Sequence, residues 1–262
     1  MKIEKVSKHI ISWLKEYAEN AKVNGFVVGV SGGIDSAVTS TLCASTGFPT
    51  LCVEMPIHQA ESQVSRAKEH IAQLKERFDN VSDLKVDLTT TFENFKNVVP
   101  VVASSDLIAL SLANTRARIR MTSLYYLAGI HNSLVIGTGN KVEDFGVGFY
   151  TKYGDGGVDI SPIADLNKTD VFEISKILGV LDEIIKAKPT DGLWDDGRTD
   201  EDQIGATYKE LEWAMQQKDL NKKLIDFKGR EKEVFQILKK FNKQNLHKMN
   251  PIPIYKVPEI LK

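Results

Sequence analysis

The sequence predicts an α/β protein: a doubly wound parallel sheet flanked by helices. Three observations carry that reading. Short apolar runs alternate with segments of helical period, the pattern of parallel strands joined by helical crossovers. One of these runs, residues 26–30, breaks into Ser-Gly-Gly-Ile-Asp-Ser and then enters a helical pattern. At 262 residues the chain suits one large α/β domain better than two complete ones.

Ile3, Val6, Ile10, Trp13, Leu14 and Tyr17 recur at helical spacing, so residues 3–20 are expected to open the chain as an amphipathic helix. Residues 26–30 form a buried strand and 36–45 the helix after it. Residues 50–55 read as a second strand, stopped by Pro56. A charged surface helix is expected at 61–77 and a third strand at 84–88. Residues 89–99 and 106–128 are helical in pattern, and 133–137 is an apolar strand ending in glycine. Ligands of such sheets bind beyond the carboxyl ends of the strands, where 29–36 and 137–140 should fall. Residues 148–159, GFYTKYGDGGVD, are too polar and glycine-rich for a strand or helix interior and read as a mobile lid. Helices follow at 168–178 and 200–216, with a basic one within 231–241. Repeated prolines make 251–258 extended. The helices and tail from about residue 200 are expected to pack on the same domain, giving one domain over 1–262.

With 34 basic and 35 acidic residues the net charge is −1, which gives no electrostatic footprint for nucleic acid or an anionic membrane. No run is long or apolar enough to span a bilayer, and the N-terminus lacks a signal-peptide core. Two cysteines, Cys43 and Cys52, fall in a helix and a strand and suit a reducing compartment. A cytoplasmic protein is expected. His9, His58, His70, His131 and His247 show no zinc-ligand spacing, and there is no nucleophile elbow, so covalent catalysis by Ser or Cys is disfavoured.

The chemistry concentrates at residues 29–36. Gly32 and Gly33 can take positive φ, successive amides can form an anion-binding nest, and the next helix adds its positive end. Ser31 and Ser36 bring hydroxyls. Asp35 among anion-binding groups makes sense with a divalent metal between carboxylate and phosphate. The loop lacks the P-loop lysine and the dinucleotide glycine spacing. Glu143 could share Mg²⁺ with Asp35; alone it reads more readily as a solvated helix-start acid, and its place after a second strand end brings the two readings level. Arg116 and Arg120 share a helix face opposite Arg118. The apolar residues around them suggest a largely buried helix, in which arginines need anionic partners. Lys152, Asp155 and Asp159 lie in the glycine-rich segment, where a lysine could meet transferring phosphates on closure.

The loop resembles the pyrophosphate loop of the ATP pyrophosphatases. Taken with ARIRM, GTGNKxE, FYTKYGDGGVD, KPT and a late HK, the chain resembles the ammonia-dependent NAD synthetases from about Trp13 to Lys248. That resemblance implies the ATP pyrophosphatase (adenine nucleotide alpha hydrolase-like) fold and a two-step amidation of deamido-NAD (nicotinic acid adenine dinucleotide). ATP adenylates the nicotinate carboxylate with release of pyrophosphate, and ammonia displaces AMP to give NAD⁺. It implies ATP contacts at Gly29, Val30, Ser31, Gly32, Gly33, Ile34, Asp35, Ser36, Thr138, Lys168 and Thr190. Mg²⁺ falls at Asp35 and Glu143, and deamido-NAD at Arg118, Lys152, Asp159, His247 and Lys248. Asp35 and Lys152 take the catalytic roles, in a homodimer with the dinucleotide near the subunit interface. Two departures stand out. Ala37 replaces a frequent serine, and the stretch from Glu143 to Lys152 is one residue longer than expected, which leaves the role of Asp144 open. The rival readings are another ATP pyrophosphatase, such as a GMP synthetase core or a tRNA-modifying enzyme, and a non-catalytic AMP/ATP-binding regulator.

Overall fold

A computed structural model describes residues 2–190 and 199–262. The chain runs α1 (Ile3–Ala21), β1 (Gly25–Gly29), α2 (Ile34–Ala44), β2 (Thr50–Glu54), α3 (Glu61–Arg77), β3 (Val81–Lys85), α4 (Thr89–Val98), α5 (Ser105–His131) and β4 (Ser133–Ile136). A π-helical turn at Val142–Val147 follows. After it come α6 (Lys168–Ile177), α7 (Asp182–Lys186), α8 (Asp200–Ile204), α9 (Tyr208–Asp219) and α10 (Gly229–Met249). The four strands are parallel in the order β3-β2-β1-β4. β1 therefore sits where the chain reverses direction across the sheet, the position at which such folds open a crevice.

Alternation along the strands sorts the core into two faces. Phe26, Val28, Cys52 and Ile136 point to the side covered by α1, α2, α3 and α6. Val27, Val53 and Val135 point to the side covered by α4 and α5. Both cysteines are free and buried, as expected of core thiols. A further apolar cluster joins Val142 and Val147 of the π turn to Tyr208 and Leu211 of α9 and to Phe235 and Leu238 of α10. No helix among the described residues is long and apolar enough to cross a membrane.

Four expectations need correction. The third strand begins at Val81 rather than residue 84. It is an edge strand exposed after Val81, so burial imposes no apolar pattern on it, and Asn80 fixes its start by bonding the Ala44 and Phe48 carbonyls. The helix expected over 200–216 is two helices, because Gly205 turns left-handed at φ +84. α5 is not largely buried: Leu107, Leu110, Tyr126 and Ile130 are exposed along it. The glycine-rich segment is a packed wall rather than a loose lid. Thr151 hydroxyl donates to Asn114 at 2.7 Å, and a Cβ on Gly154 would lie 2.8 Å from Ala117 Cβ.

Candidate active site

β1 delivers the first loop to the carboxyl edge of the sheet. Gly32 takes φ +80 there, and a Cβ on it would collide with the Gln63 carbonyl of α3. Glycine is thus required twice, for its backbone angle and for its lack of volume. The serines shape the loop: Ser36 Oγ donates to the Gly33 carbonyl at 2.9 Å and accepts from the Ser31 amide at 3.2 Å. The first backbone bond of α2 runs from the Ala37 amide to the Gly33 carbonyl. The amides of residues 34–36 therefore stand before the helical ladder at its positive end, free to meet an anion.

Asp35 on α2, Glu143 on the π turn and Lys168 at the start of α6 meet behind this loop. Lys168 Nζ lies 2.5 Å from Asp35 Oδ2 and 3.1 Å from Glu143 Oε1, and the lysine is buried. Burial alone would lower the Lys168 pKa, but the two carboxylates outweigh it and raise it. Burial pushes the Asp35 carboxyl up against the pull of Lys168. For Glu143 burial also pushes upward, but Lys168, the Tyr208 hydroxyl and the Asn140 amide prevail and hold it low. Tyr208 donates to Glu143 at 2.6 Å, and buried Asp200 lies 3.2 Å from the same hydroxyl. Asn140 donates to Asp35 and accepts from the amides of Val142 and Glu143, so one side chain sets both acids. Asp144 lies in the same wall, its carboxyl pushed up to about 8 by burial and then by Glu143, Asp155 and Asp35. The π turn is the usual way to take one extra residue into a helical turn. It holds Glu143 and Asp144, in the stretch that the sequence leads one to expect as one residue longer than in the resembled family.

Asp35, Glu143, Asp144, Lys168 and Asp200 line one cleft of about 580 Å³, together with the rest of Gly29–Ser36, Thr138 and Thr190. Arg120 lines it too, donating to the Met55 carbonyl at 3.0 Å and to Gln59 at 2.6 Å. Its partners are thus neutral rather than the anions expected for a buried arginine, and burial, with Arg116 second, lowers its pKa to about 10. The groups expected for the second substrate are spread more widely. Lys248 lines the cleft and donates to the Gly148 and Tyr150 carbonyls at 2.9 and 2.6 Å. Lys152 does not line it; its Nζ donates to the His247 carbonyl at 2.8 Å, and Arg118 donates to the Lys152 carbonyl. Asp159 accepts from Tyr125 hydroxyl at 3.0 Å and from the Val135 amide at 2.8 Å, which ties the segment to α5 and β4. Tyr208, Asp200 and Arg120 were not singled out as site residues from sequence. Only the arginine run offered a signal, because Tyr208 meets Glu143 across 65 residues of chain.

The sheet order and the nest at the end of β1 define a nucleotide-binding α/β protein of the ATP pyrophosphatase fold. A family model described as NAD synthase matches residues 6–252, and the chain belongs to that family of ligases. The NH(3)-dependent NAD(+) synthetase of Finegoldia magna is 40% identical over 239 residues, which cover 89% of this chain and 93% of that one. That of Carboxydothermus hydrogenoformans is 36% identical over 226 residues, covering 86% and 90%. Among solved structures, NMN synthetase from Francisella tularensis superposes with a TM-score of 0.85 at 30% identity, covering 99% of both chains. The NH3-dependent NAD synthetase of Campylobacter jejuni gives 0.79 at 25% identity, covering 98% of this chain and 100% of that one.

Proposed function

We propose that the protein amidates deamido-NAD with ammonia at the expense of ATP, through an acyl-adenylate, to give NAD⁺, AMP and pyrophosphate. The observation that carries this reading is the meeting of the phosphate nest with Lys168, Asp35 and Glu143 in one cleft. A carboxylate becomes an acyl donor once its oxygen is joined to the α-phosphorus, and that step requires charge neutralisation and alignment rather than a protein nucleophile. The 29–36 loop receives the β- and γ-phosphates, and Lys168 faces the α-phosphate. Thr138 and Thr190 contact the rest of ATP. The packed wall at 148–159 keeps water from the adenylate. Arg118, Lys152, His247 and Lys248 form the rim for the nucleotide that carries the carboxylate, with Asp159 holding Tyr125 in place. Lys152 reaches the reacting groups by leaving the His247 carbonyl.

Asp35 and Glu143 fit Mg²⁺ as the co-factor of ATP. Their oxygens already share a cation, and among the described residues no larger acidic or histidine cluster competes as a metal site. Two carboxylates with phosphate oxygens are the usual Mg²⁺ environment, where the ion offsets phosphate charge. The exposed apolar residues of α5 support a homodimer, and two buried free thiols suit the cytoplasm.

The similarity to an NMN synthetase supports a second reading, in which the carboxylate sits on nicotinate mononucleotide. One assay separates the two. Protein, ATP, Mg²⁺ and ammonium are incubated with either nucleotide, and amidated product and pyrophosphate are followed. Turnover of deamido-NAD at the higher kcat/KM supports the first reading; preference for the mononucleotide supports the second. Pyrophosphate released only with xanthosine monophosphate or tRNA, or ATP bound without turnover, overturns both.

A further inference from the structure

Arg66 on α3 is absent from every group of residues the sequence brought forward, yet it stands against the phosphate loop. Its Nε donates to the Gly32 carbonyl at 3.2 Å, and the half-buried side chain lines the same cleft as Gly29–Ser36. α3 is pressed onto the loop at this point: a Cβ on Gly32 would lie 3.1 Å from the Ala67 nitrogen and 3.4 Å from Arg66 Cβ. The guanidinium is a planar fork of five donors, and one of them is spent on the loop carbonyl. Among the described residues no carboxylate pairs with the others.

The cations around the loop are unevenly placed. Lys168 approaches from the α6 side and is already shared by two carboxylates. On the α3 side the loop offers backbone amides and two serine hydroxyls that bond each other at 3.2 Å. Pyrophosphate gains negative charge as it leaves, and fixed amide dipoles alone offset it less well than amides beside a cation.

We infer that Arg66 is a further phosphate-binding residue, contacting the β- and γ-phosphates of ATP and then the departing pyrophosphate at the Gly29–Ser36 loop; this rests on the amidation proposed above. In the step it serves, the carboxylate oxygen bonds to the α-phosphorus and the bond from that phosphorus to the bridging oxygen breaks. The electron pair stays with that oxygen on the β-phosphate. The guanidinium remains protonated throughout and supplies charge and hydrogen bonds through a fork suited to phosphate.

The test is calorimetric titration of the full chain with inorganic pyrophosphate and Mg²⁺, alongside steady-state kinetics, for wild type, Arg66→Gln and Arg66→Lys. Arg66→Gln is expected to weaken pyrophosphate binding and raise the KM for ATP by roughly 10- to 100-fold, the size of one charge-assisted contact. The KM values for ammonium and for the carboxylate substrate should stay within about twofold of wild type, and Arg66→Lys should recover part of the loss. A side chain that merely props the loop would lower the melting temperature and shift all the kinetic constants together, and that result overturns the inference. So does pyrophosphate affinity unchanged in Arg66→Gln or, should that variant not fold, in Arg66→Met. If wild type turns over neither carboxylate while pyrophosphate binding still depends on Arg66, the proposed reaction fails and the phosphate site stands.

Discussion

The loop at Gly29–Ser36 and the segment 148–159 both bring glycines to the cleft, but they are held in different ways. The first is shaped largely by its own atoms: Ser31 and Ser36 bond within the loop, and Gly32 supplies the left-handed turn. The second is shaped from outside. Lys248 of α10, Asn114 and Tyr125 of α5 and the backbone of β4 each hold one part of it. A self-contained turn keeps its form wherever it is placed. A segment held by distant elements is only as ordered as those elements, so substitutions in α5 or α10 should reach the second substrate's side and spare the phosphate side.

Lys168 joins the first loop to the π turn that precedes the second segment, and removing it should do the most damage. Lys168→Met leaves Asp35 and Glu143 facing each other without their shared cation. Breaking a buried pair in this way costs about 3–5 kcal/mol. Stability to urea should fall by that order, and turnover should fall by roughly 10³-fold, the larger end of what one lost electrostatic group produces. Turnover within tenfold of wild type would remove Lys168 from the reaction and leave it a structural ion pair.

Gly32→Ala breaks the self-shaped loop alone. A left-handed turn and a collision with the Gln63 carbonyl are imposed together, and strain of this kind costs about 1–3 kcal/mol. ATP affinity should drop while binding of the carboxylate substrate, measured without ATP, is kept. Loss of both would show that the two segments are one unit after all.

The difference between the segments also explains what was legible in the sequence. The first loop could be read because its turn, its nest and its helix start are local and lie within six residues. The parallel sheet was legible from the alternation of elements, and Glu143 from its place after a strand end. Tyr208 and Arg66 were not, because each acts on a residue far along the chain, and Asp200 was not, because it meets the site through Tyr208; each has an ordinary structural reading. The mobile-lid expectation for 148–159 failed for the same reason. Its glycines mark close approach to Ala117 and Met121 rather than freedom, and that packing is invisible until α5 is in place.

His70 tests the support behind the first loop. Its Nε2 lies 2.9 Å from Ser40 Oγ, which in turn donates to the Ser36 carbonyl at 2.8 Å. Burial, with Arg77 second, lowers its pKa from 6.5 to about 4, so the folded protein holds it neutral. The unfolded chain takes up a proton below about pH 6.5 that the folded one refuses until about pH 4. Stability should therefore fall as pH falls through that window, by about 2 kcal/mol at pH 5. Urea unfolding of wild type and His70→Gln at pH 7.5 and pH 5 isolates this component. An equal pH slope in both proteins would mean that His70 is protonated in the fold.

Lys248→Met should have an effect confined to the externally held segment. The side chain is half-buried, its pKa lowered chiefly by burial, and it bonds two carbonyls of the wall at Gly148 and Tyr150. Methionine keeps the packing and removes the charged donor, which costs about 1.5–3 kcal/mol for hydrogen bonds of this kind. The KM for the carboxylate substrate should rise by roughly tenfold or more, as the wall loosens and one rim charge is lost. The KM for ATP and the affinity for pyrophosphate should hold, since among the described residues no hydrogen bond or ion pair joins the first loop to Lys248. If the ATP constants shift as far as those of the second substrate, the wall and the phosphate loop respond as one body, and the division between them belongs to the sequence rather than to the mechanics of the site.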